Sequence, residues 1–347
     1  MSLGARLLSG DPPRGRLLSA MLTVIVALLA AAPFLFPSTR AMAVAERIAI
    51  LIVLTASYDM LLGYTGIVSF AHTMFFGMGA YGVAIALTRL GAGWGQVLIG
   101  ALGGVLLAIV VAAIIGLLSL RVRSIFFAMI TLGVASFAQI LASTMRDWTG
   151  GEDGLTFAVP NALTSAFKLG GGYSGNLVTY YLIFAVAVAL FLFLLRVVNS
   201  PMGRVLQAIR ENEFRAEALG LRTLWYRTLA GVIAAAAASL AGSLLALQLR
   251  YTGPDATLSF SLMVDILLIV VIGGMGTLYG AIVGATIMTM AQYYLQPAMG
   301  GLADAFAGVP LMQAVLNPDR WLLWLGLLFI AIVYFFPAGI VGRLRAP

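Results

Sequence analysis

The groups in this sequence that could carry chemistry are few, and the most prominent are single polar residues inside apolar stretches. Asp59 and Asp265 each interrupt an apolar run, and His72 is the only histidine of the chain. Such groups at membrane depth are typical of substrate and ion pathways or of proton relays. For Asp265, pairing with an arginine near a span end is an equally good interpretation, and a lone histidine among small residues is more often a hydrogen-bonded packing residue. Glu46 and Arg47 lie near the outer end of a span, where they set its depth.

Glycines are dense in the segment GYTGIVSFAHTMFFGMGAYG, which contains His72 and follows Asp59, and a second dense group stands in VVIGGMGTLYG. Backbone that leaves a helix at membrane depth is tolerated only against protein or a watery cavity. Gly100 and Gly104, four residues apart, are instead typical of close helix packing. We therefore predict a translocation pathway that is lined by, or flexes at, the following residues: Asp59, Gly63, Tyr64, Gly66, Ser69, His72, Asp265, Gly273, Gly274 and Gly276.

The densest charge cluster is ENEFRAEALG, residues 211–220, in a chain that is 62% hydrophobic and only 10% charged. Pro201 starts a helix well, and Asn212 is a good N-cap for a second one. Glu213 stands in the first turn, where the helix dipole favours an acid, and Gly220 is a natural C′ residue. The pattern predicts an amphipathic helix of about two turns between Asn212 and Gly220.

This short helix exposes Phe214, Ala218 and Leu219, and the spacing of Glu211 and Arg215 predicts an i,i+4 pair. A helix of this length is marginal in water by itself, which favours a docking element for the groove of a partner. A loop that only sets the membrane orientation would explain the arginines, but neither the cap nor the acids.

Several kinds of chemistry lack the residues they need. The chain has no cysteine and one histidine, so we expect no catalytic residue and no metal site. Its single lysine, Lys168, does not stand in a P-loop, so ATP would have to be hydrolysed by another polypeptide. The net charge of +7 is interpreted as the orientation signal of a membrane protein and not as affinity for nucleic acid.

The elements that must position these residues are membrane spans, since the mean hydropathy is +1.04 and long apolar runs recur along the chain. The spans must be helical, because backbone amides in lipid have to be satisfied within each segment. We predict an all-α polytopic membrane protein with one permease domain over residues 1–347. About ten spans in the lipid bilayer are expected, at 17–36, 42–62, 66–88, 95–119, 124–144, 178–198, 228–248, 259–274, 277–295 and 321–336.

The distribution of basic residues predicts the orientation of these spans. The segments expected inside carry most of the arginines: Arg6, Arg14, Arg16, Arg121, Arg123, Arg196, Arg204, Arg210, Arg215, Arg222, Arg227, Arg343 and Arg345. The positive-inside rule then makes both termini cytoplasmic, and the first span is interpreted as an uncleaved helix. The main outer loop is 145–177, and the main cytoplasmic loop is 199–227.

Several stretches together resemble the LivM branch of ABC importer permeases, best known for branched-chain amino acids. They are GRVLQAIRENEFRAEALGLRTLWYR, MLLGYTGIVSFAHTMFFGMGAYG, LRVRSIFFAMITLG, TGGEDGL, GGMGTLYGAIVGA and FFPAGIVG, and they cover nearly the whole chain. The resemblance implies a type II-like importer architecture in the bacterial inner membrane. It also implies a heteromeric assembly with a second, LivH-like permease, two ABC ATPase subunits that bind ATP and Mg, and a periplasmic substrate-binding protein.

The same resemblance implies roles for two sets of residues. In the family an E-A-x-x-x-G element forms a coupling helix that seats in the ATPase subunit, and the resemblance assigns this place to EALG, in which one residue instead of three separates Ala218 from Gly220. We expect coupling to the ATPase through Arg210, Glu211, Phe214, Glu217, Ala218, Leu219 and Gly220. Glu152 and Asp153 in the outer loop would contact the binding protein, although a glycine-rich turn explains them nearly as well.

The chain departs from the family pattern near the expected pathway, with Asp59 where Asn is usual, Ala71 where Gly is usual and Asp265 where Glu is common. These departures bear on the substrate more than on the class of protein. Branched-chain or related hydrophobic amino acids are expected, with urea, short amides and aromatic or dicarboxylic acids as alternatives. A rival of a different class is a proton-coupled secondary transporter that uses Asp59, His72 and Asp265.

Overall fold

The computed structural model describes residues 15–36, 38–118, 124–169, 173–305 and 315–345. Its helices are α1 (Arg16–Leu35), α2 (Thr39–Thr65), α3 (His72–Leu90), α4 (Trp94–Leu118), α5 (Ser124–Thr144), α6 (Arg146–Thr149), α7 (Gly175–Val198), α8 (Pro201–Glu211), α9 (Glu213–Ala218), α10 (Thr223–Leu249), α11 (Pro254–Thr257), α12 (Phe260–Gly273), α13 (Leu278–Ala305), α14 (Trp321–Phe335) and α15 (Gly339–Arg345). Short strands are β1 (Leu155–Thr156), β2 (Lys168–Leu169), β3 (Tyr173–Ser174) and β4 (Tyr251–Thr252).

Nine helical stretches in the described part of the chain are long and apolar enough to cross a membrane. The predicted span 277–295, which is not among these nine, corresponds to α13, whose 28 residues would reach about 42 Å. Gln292 and Gln296 stand in the second half of this helix. The prediction of an all-α polytopic membrane protein with about ten spans is confirmed.

Two of the predicted span boundaries are wrong. The span predicted at 66–88 becomes helical only at His72, because residues 66–71 leave the helix; within them Ser69 and Ala71 are buried and Gly66 is exposed. Hydropathy cannot detect this difference, since extended and helical apolar backbone have the same composition. Helix α13 continues beyond its predicted end at residue 295 to Ala305 and contains Pro297.

The predicted outer loop 145–177 contains regular structure that the sequence did not indicate. Strand β1 in this loop pairs antiparallel with β4, so that Leu155 lies opposite Thr252. Strands β2 and β3 form a second antiparallel pair. The loop is therefore joined to the segment that follows α10.

Helix α2 forms the centre of the bundle, and α5 lies at its periphery. In the apolar stretch of α2, 94% of the residues are buried, against 17% in that of α5. Helix α2 packs against α7, α10 and α13, whereas the exposed side chains of α5 are mostly large and apolar. In a membrane protein such side chains face lipid, so α5 is an outer helix of this chain.

The expected close packing at Gly100 and Gly104 is confirmed. A Cβ atom at Gly100 would lie 2.8 Å from Cα of Val83, and one at Gly104 would lie 2.6 Å from the carbonyl oxygen of Met78. No side chain fits at either position, so the backbones of α3 and α4 approach each other directly.

Both described ends of the chain lie on the same face of the bundle, in agreement with an even number of spans. The start of α1 is next to α15, and a Cβ atom at Gly15 would lie 3.1 Å from the carbonyl oxygen of Leu344. We call this face, which also carries α8 and α9, the inner face, and the face with β1 and β4 the outer face. The predicted inner arginines Arg6, Arg14, Arg121 and Arg123 lie outside the described residues.

Candidate functional site

The first predicted glycine-rich break is present between α2 and α3. Gly66 ends α2 with φ 73°, and residues 66–71 run through the bundle without helical structure. The Ser57 Oγ atom lies 2.8 Å from Nε2 of His72, so α3 starts level with Ser57. At about 1.5 Å per residue this level is about 12 Å from the end of α2, in the direction of the outer face. The backbone amide of Phe70 is satisfied by Oγ1 of Thr131 at 3.0 Å. The break is therefore an ordered segment at membrane depth, supported by protein.

His72 has the surroundings of a packing residue. Its ring is fully buried, bonded to Ser57, and 5.2 Å from the ring of Tyr58. Ser57 also bonds the carbonyl oxygen of Leu54 at 2.7 Å. These neighbours are a hydroxyl, an aromatic ring and a helix carbonyl, and they support the packing interpretation over a proton relay.

The second break lies between α12 and α13. Helix α12 ends at Gly273, and Gly274 and Gly276 have φ values of 111° and 79°. The turn is closed by a hydrogen bond from Oγ1 of Thr277 to the carbonyl oxygen of Gly274, at 2.7 Å. A Cβ atom at Gly274 would lie 2.8 Å from the carbonyl oxygen of Ala338, so the C-terminal segment packs against this turn from the inner side.

The two breaks meet at a group that we call the inner polar cluster, namely Asp59, Gly63, Arg210 and Gly276. The amide of Gly276 donates to Oδ1 of Asp59 at 2.8 Å, and Asp59 is only 2% exposed. Nη1 of Arg210, on α8, donates to the carbonyl oxygen of Gly63. The guanidinium group of Arg210 also interacts electrostatically with the carboxyl group of Asp59.

Glycine is required in this cluster by the lack of space. A Cβ atom at Gly276 would lie 2.9 Å from Nη1 of Arg210 and 3.0 Å from the carbonyl oxygen of Gly63. A Cβ atom at Gly66 would lie 3.3 Å from Cγ of Arg210. The two glycine-rich segments, far apart in the sequence, are thus in direct contact around one arginine.

The other predicted pathway residues are divided between the two halves of the bundle. Tyr64 and Ser69 are buried in or beside the first break, close to the inner face. Asp265 lies on α12 toward the outer face, next to Gln292, and interacts electrostatically with Arg47. The structure therefore does not bring Asp265 together with Asp59 and His72.

Glu46 does more than set the depth of a span, so that interpretation is wrong for this residue. Its side chain is 9% exposed and lies inside the bundle, beside Gln248 and Arg250. Gln248 in turn donates to the carbonyl oxygen of Ala43 at 2.7 Å. Contacts of this kind between two helices cannot be derived from a hydropathy profile.

The predicted short helix is confirmed as α9. Oδ1 of Asn212 accepts a hydrogen bond from the amide of Arg215 at 2.9 Å, which is the expected N-cap. Gly220 has φ 84°, and the amide of Leu221 donates to the carbonyl oxygen of Ala216 at 3.2 Å, which ends the helix. The helix has six residues, slightly fewer than predicted.

Helix α9 presents an apolar surface on the inner face. Phe214 is 82% exposed and Leu219 is 77% exposed, with Ala218 exposed between them. Beside them, Trp225 and Leu229 line a shallow hollow at the start of α10. An exposed apolar patch outside the lipid-facing part of a membrane protein indicates a contact surface for another protein.

Two contacts that sequence reasoning missed hold α9 against α10. Arg227 forms an ion pair with Glu213, the one such pair in the described part of the chain. Oγ1 of Thr223 donates to Oε1 of Glu217 at 2.7 Å. The predicted i,i+4 pair of Glu211 and Arg215 is wrong, because the two residues are not in one helix: α8 ends at Glu211, and the chain turns at Asn212 before α9 begins.

Glu152 and Asp153 lie in a one-turn 3-10 helix, Gly151–Asp153, and both are exposed on the outer face. Gly150 and Gly151, with φ 77° and 68°, start this turn. The glycine-rich turn is therefore present, and its two carboxylates face away from the protein. Among the residues that the structure describes, no group of three or more His, Cys, Asp or Glu could hold a metal ion.

The described chain thus forms an α-helical membrane bundle with two glycine breaks beside a buried polar cluster and a capped helix exposed on one face, an arrangement typical of transport proteins with broken helices. A family model described as "Branched-chain amino acid transport system / permease component" matches residues 40–333. The chain belongs to this family.

Curated relatives of this chain are permease subunits. It is 27% identical over 290 residues to the high-affinity branched-chain amino acid transport system permease protein LivM of Escherichia coli, which covers 78% of this chain and 67% of the relative. It is 25% identical over 322 residues to a probable LivM of Methanocaldococcus jannaschii, covering 83% and 89%. Similarity to Escherichia coli LivH is 26% over 301 residues, covering 82% and 89%. No solved structure matches this chain.

Proposed function

We propose that this chain is the LivM-like permease subunit of a binding-protein-dependent ABC importer for branched-chain or related hydrophobic amino acids. The family match supports the class, and the names of the relatives support the substrate. The observation that carries the proposal is α9, a capped helix with exposed apolar side chains on the inner face. A permease driven by another polypeptide needs such a surface, whereas a proton-coupled transporter does not.

The proposed assembly contains a second, LivH-like permease, two ABC ATPase subunits and a periplasmic binding protein, in a bacterial inner membrane. Similarity of this chain to both LivM and LivH proteins supports a pair of related permeases. ATP and Mg are bound by the ATPase subunits, and this chain holds no cofactor of its own. The inner face is then cytoplasmic, and residues 199–227 form the coupling loop.

The residues of the coupling loop have different tasks in this proposal. Phe214, Ala218 and Leu219 contact the ATPase subunit, because they are exposed and apolar. Glu217 orients the helix through Thr223, and Gly220 ends it. Glu211, which is exposed at the end of α8, contacts the rim of the docking site.

The translocation pathway of the proposal runs past the two glycine breaks. Residues 66–71 and 274–277 are the non-helical segments between spans at this depth, and both adjoin Asp59. Asp265 lies farther toward the outer face on the same route. Glu152 and Asp153, exposed on the outer face, contact the binding protein.

The proposal is tested by uptake into proteoliposomes that contain this chain, its partner permease and the ATPase subunits. We expect accumulation of radiolabelled leucine only when ATP is inside and the loaded binding protein is outside. An ATPase variant without its P-loop lysine is the control and should abolish uptake. Uptake without the ATPase subunits, or uptake that an uncoupler stops while ATP is maintained, would exclude an ABC importer and favour the secondary transporter.

The substrate is tested separately on the binding protein encoded beside this gene. We expect leucine, isoleucine or valine to raise its melting temperature in a thermal-shift screen. The same screen contains urea, a short amide, an aromatic acid and a dicarboxylic acid. If only one of these compounds stabilises the binding protein, the proposed class of transporter stands, but the proposed substrate is wrong.

A further inference from the structure

The side chain of Arg210 links the segment 199–222 by a hydrogen bond to a distant part of the chain. Ser200, Asn212, Glu217 and Glu213 bond residues close in sequence. Arg210, in contrast, donates to Gly63, 147 residues earlier, on the central helix α2. A movement of α8, which also packs on the bundle through Leu206 and Ile209, therefore displaces the donor that bonds Gly63.

The receiving end of this link connects both glycine breaks. Gly63 is three residues before Gly66, where α2 ends, and Gly276 in the second break is bonded to Asp59 one turn earlier on α2. Because a Cβ atom at Gly276 would contact both Arg210 and Gly63, the three groups have no free space between them. A displacement of the guanidinium group of Arg210 therefore changes its contacts with Gly63 in the first break region and with Gly276 in the second at the same time.

The contacts at this point make the link depend on the position of α8. Asp59 is buried and accepts from the amide of Gly276, while Arg210 bonds Gly63 and fills the space beside Gly276. Withdrawal of Arg210 leaves the carbonyl oxygen of Gly63 without this donor and removes the group that packs beside Gly276, so it destabilises this arrangement of the two breaks. A ligand or partner that shifts α8 thereby changes the balance between two arrangements of the pathway.

We propose that Arg210 is a positioning residue that transmits the movement of the docked ATPase subunit to the two breaks of the pathway through Gly63, Asp59 and Gly276. It acts inward, and it does not contribute to the contact with the ATPase. This inference rests on the proposed function and assigns the direction in which one residue of the coupling loop works.

The experiment uses the complete importer in proteoliposomes with the variants Arg210→Gln and Asp59→Leu, the second of which removes the acceptor of the Gly276 amide. Three quantities are measured: ATPase subunit bound per permease, ATP hydrolysis with and without loaded binding protein, and solute taken up per ATP hydrolysed. For both variants we expect unchanged ATPase binding and a fall of about tenfold in uptake per ATP. The double variant should be no worse than the single ones, because both interrupt the same route from α8 to the two breaks.

Arg204→Gln is the matched control, since Arg204 and Arg210 are both exposed arginines on the same helix, and the structure shows no side-chain hydrogen bond of Arg204 within the described residues. Loss of ATPase binding in Arg210→Gln would make Arg210 a docking residue, and unchanged uptake per ATP would exclude a role in transmission. If Arg210→Gln does not assemble, Asp59→Leu decides by the same criteria. Absence of ATP-dependent uptake by the unmodified complex would instead contradict the proposed function itself.

Discussion

Helices α8 and α9 are neighbours in one loop, yet they face in opposite directions. Helix α8 buries Leu206 and Ile209 against the bundle and sends Arg210 to the end of α2. Helix α9 leaves Phe214 and Leu219 exposed and contacts the bundle mainly through polar groups at the start of α10. The turn at Asn212 separates the two, so contact with a partner and contact with the pathway can be changed independently.

The largest expected effect is on the outward-facing helix. The double variant Phe214→Ala, Leu219→Ala should weaken ATPase subunit binding by about 100-fold or more, because each large apolar side chain contributes roughly 1.5–3 kcal/mol when buried at an interface. The melting temperature of the purified permease should not change, since both side chains are exposed. Pull-down of the ATPase subunit measures the effect, and Gln207→Ala on α8 is the control. Full binding by the double variant would remove α9 from the interface.

The second effect concerns the inward-facing contact. Gly276→Ala should destabilise the permease by about 1–3 kcal/mol, because the new methyl group meets Arg210 and Gly63 and the backbone has φ 79°. Uptake should fall even where ATPase binding persists. Gly103→Ala on α4 is the matched control, as no atom lies within 4 Å of its added Cβ. Equal melting temperatures of the two variants would show that the close contact at Gly276 is not needed.

A smaller effect is expected at the turn that separates the two helices. Asn212→Ala removes the N-cap of α9 and should cost about 1 kcal/mol of helix stability, hence roughly fivefold in ATPase binding. Asn212→Ser retains a capping oxygen and should restore most of the affinity. A titration of the ATPase subunit against the permease measures both variants, and equal loss in the two would show that the cap is unimportant.

The smallest effect is expected for the ion pair between α9 and α10. The side chains of Arg227 and Glu213 are 25% and 44% exposed, so Glu213→Gln should cost only about 0.2–1 kcal/mol. The difference from the unmodified protein should shrink at high salt, because exposed charges are screened. ATPase binding measured at low and high ionic strength tests this, and a loss independent of salt would contradict a purely electrostatic role.

Local signals in the sequence predict one helix of this loop well and the other only in part. The cap at Asn212 and the stop at Gly220 depend on neighbouring residues, and both are present. The partner of Arg210 could not be predicted, because Gly63 is 147 residues away and a backbone carbonyl has no sequence signature. The same reason hides the pairing of Arg227 with Glu213, which depends on the angle between two helices.

The membrane spans show the same limit. Composition predicts how many helices cross the bilayer, but it misplaced the start of α3, because residues 66–71 are as apolar as a helix would be. It also grouped Asp265 with Asp59 and His72, although the structure places Asp265 beside Gln292 in the outer half. Depth within the bundle follows from packing between distant segments, and composition contains no information on it.

The bond between Asp59 and Gly276 has a consequence for how this protein is made. The amide of Gly276 is 217 residues downstream of Asp59. At about 5–20 residues per second, a ribosome delivers it roughly 10–40 s after the aspartate has left the exit tunnel. Until Arg210 has been synthesised, the carboxyl group of the newly inserted helix has neither its amide nor its arginine, and the amide follows later still. We expect the early spans to remain beside the translocon or an insertase until the last third of the chain has been synthesised.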